Sequence, residues 1–283
     1  MTKFNKFFLI ILIISFVSFV AADNEIGFLD EIKVWGTFRS QNTQDLVKEN
    51  DHIFRLYSLY RDLLPGYADI GVDLTLIHGE TWKVSVIFDN KSFMTKAEGL
   101  WNQNPYFQSY IMGFQGSLDV TSFLTIFGGY THKCLHAVDY QAIKGDWNKA
   151  NLGFRLHKRF NKISLEGEFD YSRYYQDTVP VPLPWTKSYS IEGFSSYRFS
   201  KYLSAFISFD SIVKKRNFYQ VFPFSMGYDE MHDFVRSSQK IGLILHSKIG
   251  KIFLGITNNQ YDFGVPYKDD HQTRGLEFGF IYN

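Results

Sequence analysis

Segments of about ten residues, in which apolar and polar side chains alternate, dominate the sequence. In residues 68–76, for example, Ala, Ile, Val, Leu and Leu alternate with Asp, Gly, Asp and Thr. Successive side chains of a β-strand point to opposite faces, so each segment predicts a strand with one apolar and one polar face. Strands of soluble proteins are typically about five or six residues long. These segments are longer, and they match the length of a tilted strand that crosses a membrane.

The predicted strands and the links between them form a regular series. Strands are expected near residues 30–40, 66–77, 81–90, 105–116, 120–131, 148–159, 162–173, 186–198, 202–212, 235–247, 251–258 and 274–282. Short turns at 78–80, 116–119, 160–161, 199–201 and 248–250 alternate with longer polar links at 41–65, 91–104, 132–147, 174–185, 213–234 and 259–273. Short turns on one side and long loops on the other are typical of transmembrane barrels. An even number of strands places both termini on the short-turn side, the periplasm.

The sequence therefore predicts an all-β fold, a closed antiparallel transmembrane β-barrel of about 12 strands. Lipid offers no hydrogen-bond partner to an exposed strand edge, so the sheet has to close. The chain contains 29 Phe, 18 Tyr and 5 Trp. Several apolar faces end in Tyr or Trp, as at membrane interfaces: Trp82, Tyr130, Tyr171, Trp185, Tyr197 and Tyr282. The alternative is a secreted soluble β-sandwich or lipocalin-like barrel with an apolar core.

Residues 1–22 have the features of a secretory signal peptide. Lys3 and Lys6 precede an apolar run, and Val20, Ala21 and Ala22 supply small residues for cleavage. We expect a signal peptide at 1–22 and a barrel domain at 23–283. The alternative is an uncleaved anchor, although the run is shorter than the ~20 residues that a membrane span needs.

The composition excludes several classes of function. The formal net charge is +1, which gives no general electrostatic reason to bind nucleic acid. A single cysteine excludes an intrachain disulfide scaffold and a multi-cysteine metal site. No phosphate-binding glycine loop, nucleophile elbow or zinc motif is present. The sequence specifies no cofactor and no oligomeric state.

The last strand, 274–282, resembles the C-terminal assembly signal of bacterial outer-membrane β-barrel proteins, because apolar and aromatic residues occupy every second position. Those proteins typically end on the aromatic residue, whereas Asn283 follows Tyr282 here. The resemblance implies location in the cell outer membrane. The partners that it implies are outer-membrane lipid and the barrel-assembly machinery that acts during insertion.

With apolar faces toward lipid, the polar faces line the interior. Glu31, Lys33, Arg39, Asp69, Asp73, Lys83, Asp89, Arg155, Glu166, Glu168, Asp170, Glu192, Asp210, Lys240 and Glu277 are the charged residues expected there. Across the hairpin at 160–161, Arg155 lies opposite or diagonal to Glu166 and Glu168, which predicts an internal ion pair. Twelve strands enclose a narrow space. The interior is therefore either a small-solute pore with an acidic bias or a plugged, salt-bridged interior.

One segment carries several chemically reactive residues. His132, Cys134 and His136 alternate along the predicted face of Ile126 and Tyr130, and Asp139 follows. On an extended strand, residues i and i+2 lie ~6.6 Å apart, so His132 can act on Cys134 only if the two side chains lean together. His132 and His136 would lie ~13 Å apart, too far to share a metal ion unless the segment turns.

This segment resembles outer-membrane phospholipase A, a twelve-stranded barrel with a His-x-Ser pair on its lipid side and a following Trp-Asn. Here the sequence has His132-x-Cys134 and then Trp147-Asn148. The resemblance implies that His132 is the base, that Cys134 occupies the nucleophile position and that Asn148 orients the imidazole. Cys replaces Ser, and Leu135-His136 stands where that family has Asn-Gly.

A second resemblance covers the same stretch. Some uncharacterised outer-membrane proteins contain His-x-Ser-Ser-His-x-Gly-Asp, similar to His132, Cys134, His136 and Asp139 here, and this likeness implies no activity. The sequence thus favours a barrel with a structural or surface role, or a narrow small-solute pore. The alternative function is a lipid hydrolase of phospholipase type, and the simplest interpretation of the segment itself is the base of a surface loop.

Overall fold

The computed structural model describes residues 27–28, 31–41, 68–94, 106–137, 145–175, 185–216, 233–262 and 271–282. The predicted signal peptide lies outside these residues. The described strands are β1 (Gly27–Phe28), β2 (Ile32–Gln41), β3 (Ala68–His78), β4 (Trp82–Met94), β5 (Tyr106–Thr121), β6 (Leu124–Ala137), β7 (Gly145–Phe160), β8 (Ile163–Tyr175), β9 (Trp185–Arg198), β10 (Leu203–Arg216), β11 (Phe234–His246), β12 (Gly250–Asp262) and β13 (His271–Tyr282). No helix in this part of the chain is long and apolar enough to cross a membrane.

Strands β2 to β13 form a closed antiparallel ring. Each pairs with the next along the chain, and β13 pairs with β2 through Phe278 and Phe38, which completes the circle. Among the described residues, the short strand β1 pairs only with the end of β3. The pairing of β3 with β4 has a register shift there, between Thr75 and Ile77. The predicted closed barrel of twelve strands is therefore confirmed, with β1 as a short addition at its rim.

The barrel carries its apolar side chains outside and its polar side chains inside. Ile241, Leu254 and Leu276 are 60%, 55% and 57% exposed on the outer surface. Among the interior residues, Thr257 is 2% exposed and Glu277 is 3% exposed. This distribution is the reverse of a soluble sandwich or lipocalin-like barrel, so that alternative is excluded. An apolar outer surface stabilises the barrel only in lipid.

The predicted turn at 116–119 is wrong. Strand β5 continues through Thr121, and the turn is formed by Ser122 and Phe123. The alternation persists through this stretch, since Leu118 pairs with Trp82 on β4 while the Thr125 hydroxyl donates to Asp119 Oδ1 at 2.5 Å. The extra pairing makes β5 longer than the sequence predicts.

The predicted aromatic girdle is present only in part. Tyr130, Tyr197 and Tyr282 are 50%, 44% and 50% exposed on the outer surface. Trp82 is only 3% exposed, so its assignment to an exposed interface is wrong. The side chain of Trp185 lies outside the described part of the structure.

Aromatic rings fill part of the interior toward the short turns. Phe127 and Phe206 are only 5% and 8% exposed there. The ring of Phe127 lies against Gly153, where an added Cβ would come within 2.5 Å of Phe127 Cζ and 2.3 Å of a backbone oxygen. Glycine is therefore needed for this close approach. The charged wall adjoins these rings, since Phe194, which stacks on Phe206 with ring centres 5.9 Å apart, lies opposite Glu166.

Candidate functional site

His132 and Asn148 form a hydrogen-bonded pair on the outer surface, near the long-loop end of the barrel. They lie directly opposite each other on β6 and β7, and His132 Nδ1 is 3.1 Å from Asn148 Oδ1. With the amide oxygen as acceptor, the ring donates from Nδ1, and Nε2 is then the basic nitrogen. An oriented imidazole of this kind is what general-base chemistry needs.

The register places this pair on the lipid-facing side. His132 alternates with the inward-facing Lys133 and shares its face with Tyr130, which is 50% exposed. Cys134 lies on the same face, opposite Asp146 on β7, and is half-buried. On an extended strand its Cα lies ~6.6 Å from that of His132. The face thus brings His132 and Asn148 into contact and places Cys134 beside them along the strand.

The two other predicted members of this segment, His136 and Asp139, lie partly or wholly outside the described residues. The backbone of His136 lies in β6, opposite Gln108, but its side chain lies outside the described residues. Asp139 also lies outside them. Within the described ranges, no three His, Cys, Asp or Glu side chains come together as metal ligands.

A row of charged residues crosses the interior on neighbouring strands. Arg155 on β7 lies opposite Glu168 on β8, and its Nη2 is 2.6 Å from Glu168 Oε2, which is the ion pair that the hairpin spacing predicts. Glu168 lies opposite Glu192 on β9, which in turn lies opposite Asp210 on β10. Arg236 pairs with Asp210 at 2.5 Å. Three carboxylates therefore lie side by side with a cation at each end of the row.

This row lines an interior cavity of about 370 Å³. The charged residues of its wall are Arg155, Glu166, Glu168, Glu192, Asp210, Arg236, Lys240 and Glu277. Lys240 pairs with Glu277 at 3.1 Å. Glu166 and Glu192 form no ion pair among the described residues, so the wall carries more negative than positive charge. The side chain of Arg155 is 44% exposed, so the cavity leaves room for water beside it.

A second polar network packs the interior nearer the long loops. Asp170 accepts hydrogen bonds from Asn151 Nδ2 at 2.8 Å and from Ser172 Oγ at 2.7 Å, and Lys149 lies 3.5 Å away. Lys214 is 2% exposed, and its ammonium lies 4.8 Å from the centre of the Tyr174 ring. The interior is thus partly filled here, whereas the wall around Glu192 is more open.

Sequence reasoning missed Arg236 and Lys149 as interior charges. Each has one apolar neighbour, Ala150 or Val235, and one polar neighbour, Asn148 or Ser237, so the period-two pattern of β7 and β11 is weak at these positions. It also missed a row of outward-facing cations on β8, β9 and β10, because their adjacency depends on strand register, which the sequence does not fix.

Fold and surface together define the class of this protein. A closed barrel with an apolar exterior and a charged interior is the structure that crosses outer membranes, and this chain is an integral outer-membrane β-barrel protein.

The chain matches no protein-family model and no curated protein sequence. It is similar in fold to LpxR from Salmonella typhimurium, with 8% identity and a TM-score of 0.48 over 88% of this chain and 99% of that one. It is also similar to the porin NanC, with 11% identity and a TM-score of 0.41 over 89% and 100% of the two chains. OmpT, an outer membrane protein of Vibrio cholerae, shows 6% identity and a TM-score of 0.40 over 90% and 99%. These likenesses concern the fold alone.

Proposed function

We propose that the barrel is a narrow pore that favours small cationic solutes. The observation that carries this proposal is the row of carboxylates Glu168, Glu192 and Asp210 on the wall of a water-accessible cavity of about 370 Å³. A wall with excess negative charge raises the local concentration of cations, and the low dielectric constant of the surrounding protein strengthens this effect.

The unpaired carboxylates are expected to govern selectivity. Arg155 and Arg236 already compensate Glu168 and Asp210, whereas Glu192 stands between two other carboxylates. A passing cation is therefore attracted mainly by Glu192 and by Glu166 on the same wall. Phe194 on the same wall, with Phe206 stacked on it, occupies part of this space and is expected to limit the size of the solute.

The test is reconstitution of the purified barrel in a planar bilayer under a gradient of potassium chloride. The wild type is expected to conduct, with a reversal potential shifted toward that of potassium. The double variant E166Q/E192Q is expected to lose most of this shift, whereas E80Q in the turn between β3 and β4 keeps it. No conductance would refute the pore and support a plugged structural or surface barrel, and a reversal potential near zero would refute the cation preference.

A second candidate function is lipid hydrolysis at the outer surface. The specific observation that favours it is the hydrogen bond between His132 and Asn148 on the lipid-facing side, next to Cys134. In this proposal, Asn148 orients the imidazole, His132 takes a proton from the Cys134 thiol, and the thiolate attacks the ester carbonyl of a lipid. As the thioester forms, the ester C–O bond breaks, and the protonated His132 gives its proton to the departing lipid alcohol. Water then attacks the acyl-thioester with His132 again as the base, which releases the fatty acid and restores the thiol.

Chromogenic esters and phospholipids presented to the protein in detergent micelles test this candidate. H132A is expected to lower turnover by about 10²- to 10⁴-fold, the usual contribution of a positioned base. C134A removes the nucleophile and is expected to abolish formation of the acyl-thioester. H157A is the matched control, because His157 lies on β7 nearer the short-turn end. Turnover that is equal in H132A and H157A, or absent with every acyl substrate, would eliminate the hydrolase.

A further inference from the structure

Three cations stand side by side on the outer surface near the long loops. Arg173 on β8 lies directly opposite Lys187 on β9, and Lys187 lies directly opposite Lys215 on β10. All three side chains are exposed. We call these three residues the basic row.

The basic row faces the lipid side and not the interior. The residues that alternate with it are buried inside the barrel: Ser172 is 0% exposed, Ser188 is 3% exposed and Lys214 is 2% exposed. Because side chains alternate between the two faces of a strand, Arg173, Lys187 and Lys215 project outward. They therefore cannot serve the interior cavity.

The height of the basic row corresponds to the lipid headgroups. Two residues below it on the same face, Tyr171 and Tyr189 pack against each other with ring centres 5.4 Å apart. Tyrosines at such positions mark the membrane–water interface. Two residues along a strand span ~6.6 Å, so the cations lie just beyond the tyrosines, in the headgroup region of the outer leaflet.

The charges of the basic row are only partly compensated within the protein. Lys215 pairs with Asp233, while the guanidinium of Arg173 lies 5.5 Å from the centre of the Tyr175 ring. Among the described residues, neither Arg173 nor Lys187 has a carboxylate partner. Like charges directly opposite each other on neighbouring strands destabilise a sheet, and a bound anion removes this cost.

We propose that the basic row binds the phosphate group of an anionic lipid in the outer leaflet. Neighbouring strands lie ~4.8 Å apart, so a phosphate placed over Lys187 can accept hydrogen bonds from cations on both sides. Arginine provides the two-pronged donor geometry that phosphate prefers. The acyl chains of the lipid then lie below the row, along Tyr171, Tyr189 and the apolar surface of the barrel. This proposal is independent of both functions proposed above.

The test uses the full purified chain in detergent micelles, titrated with phosphatidic acid and with phosphatidylcholine of the same chain length. Native mass spectrometry counts the lipids that remain bound to the barrel. The wild type is expected to bind phosphatidic acid more tightly. The triple variant R173Q/K187Q/K215Q is expected to lose this preference by a factor on the order of tenfold to a hundredfold.

A matched control removes three cations from the opposite rim. K158Q/K162Q/K201Q changes the net charge by the same amount and leaves the basic row intact, so its preference for phosphatidic acid should persist. Equal losses in the two triple variants would reveal general electrostatic attraction and overturn the proposal, as would an unchanged preference in the first variant. Inorganic phosphate is added as a competitor to the bound phosphatidic acid. If it displaces the lipid at the concentrations at which phosphatidic acid itself binds, the basic row is a site for a soluble anion and the proposal is overturned.

Should the first triple variant fail to fold, the wild type alone still tests the proposal. Added salt screens charges near a surface, so the preference for phosphatidic acid over phosphatidylcholine should shrink as the salt concentration rises. A preference that does not depend on salt would refute binding through the basic row.

Discussion

Asp170 is the residue whose replacement tests the packed interior most directly. It is 8% exposed and accepts hydrogen bonds from Asn151 and from Ser172, which is fully buried, with Lys149 3.5 Å away. In D170N, one oxygen remains as an acceptor, while the new amide group points donors at the remaining partners. The network therefore loses its charge and one of its acceptors.

The magnitude follows from these contacts. Hydrogen bonds to a charged group contribute about 1.5–3 kcal/mol, and those between neutral groups about 0.5–1.5 kcal/mol, so two weakened bonds cost about 2 kcal/mol. The ion pair with Lys149 adds at most about 1 kcal/mol, because the lysine side chain is 33% exposed to water. We expect D170N to lower the free energy of unfolding by about 2–3 kcal/mol.

The assay is denaturant unfolding of the barrel in detergent micelles, followed by tryptophan fluorescence. The matched control is E166Q, which also removes one carboxylate from the inner face of β8. Glu166 is exposed and forms no ion pair with the described residues. This control should change the free energy of unfolding by less than about 0.5 kcal/mol. Equal stabilities of D170N and E166Q would refute the assignment of Asp170 to a stabilising network.

Three further predictions concern the wall, the lipid surface and the N-terminus. G153V should reduce the yield of folded barrel on refolding, because the new Cβ would clash with Phe127 and with the backbone. The control G167A should refold normally, because the atom nearest its new Cβ is a backbone oxygen 4.0 Å away. L243R on the outer surface should cost up to about 2–4 kcal/mol in lipid by denaturant unfolding, against a smaller cost for S208R on the inner wall. Intact-mass analysis of the exported protein should give an N-terminus at Asp23, and a mass that retains residues 1–22 would contradict the predicted signal peptide.

The fold could be predicted from the sequence because the period-two pattern and the alternation of link lengths both specify it. The error at 116–119 has a local cause: Gly116 and Asp119 are typical turn residues, yet Gly116 lies inside β5, opposite Gly128 on β6. Local turn preference was outweighed by continued strand pairing. Trp82 shows a second limit, because its burial depends on packing that alternation does not describe.

The sites could be predicted only where they lie on one strand or one hairpin. The sequence predicts Arg155 opposite or diagonal to Glu166 and Glu168. The turn lies at Asn161 and Lys162, one residue later than predicted, and this register makes Glu168 the residue opposite Arg155. The row through Glu168, Glu192 and Asp210 crosses two more strand pairings, and the sequence does not fix those registers. The basic row depends on the same pairings, so it became visible only in the folded barrel.

The pairing of β13 with β2 has a consequence for biogenesis. Of the twelve strands in the ring, β13 is synthesised last, so a nascent chain that lacks β13 cannot close the ring by pairing with β2. A chain that stops before residue 271 would leave β2 and β12 as unpaired edge strands. The backbone N–H and C=O groups of these edges would have no hydrogen-bond partners in lipid. Chains that terminate early should therefore be degraded or aggregate, and they should not form a smaller functional barrel.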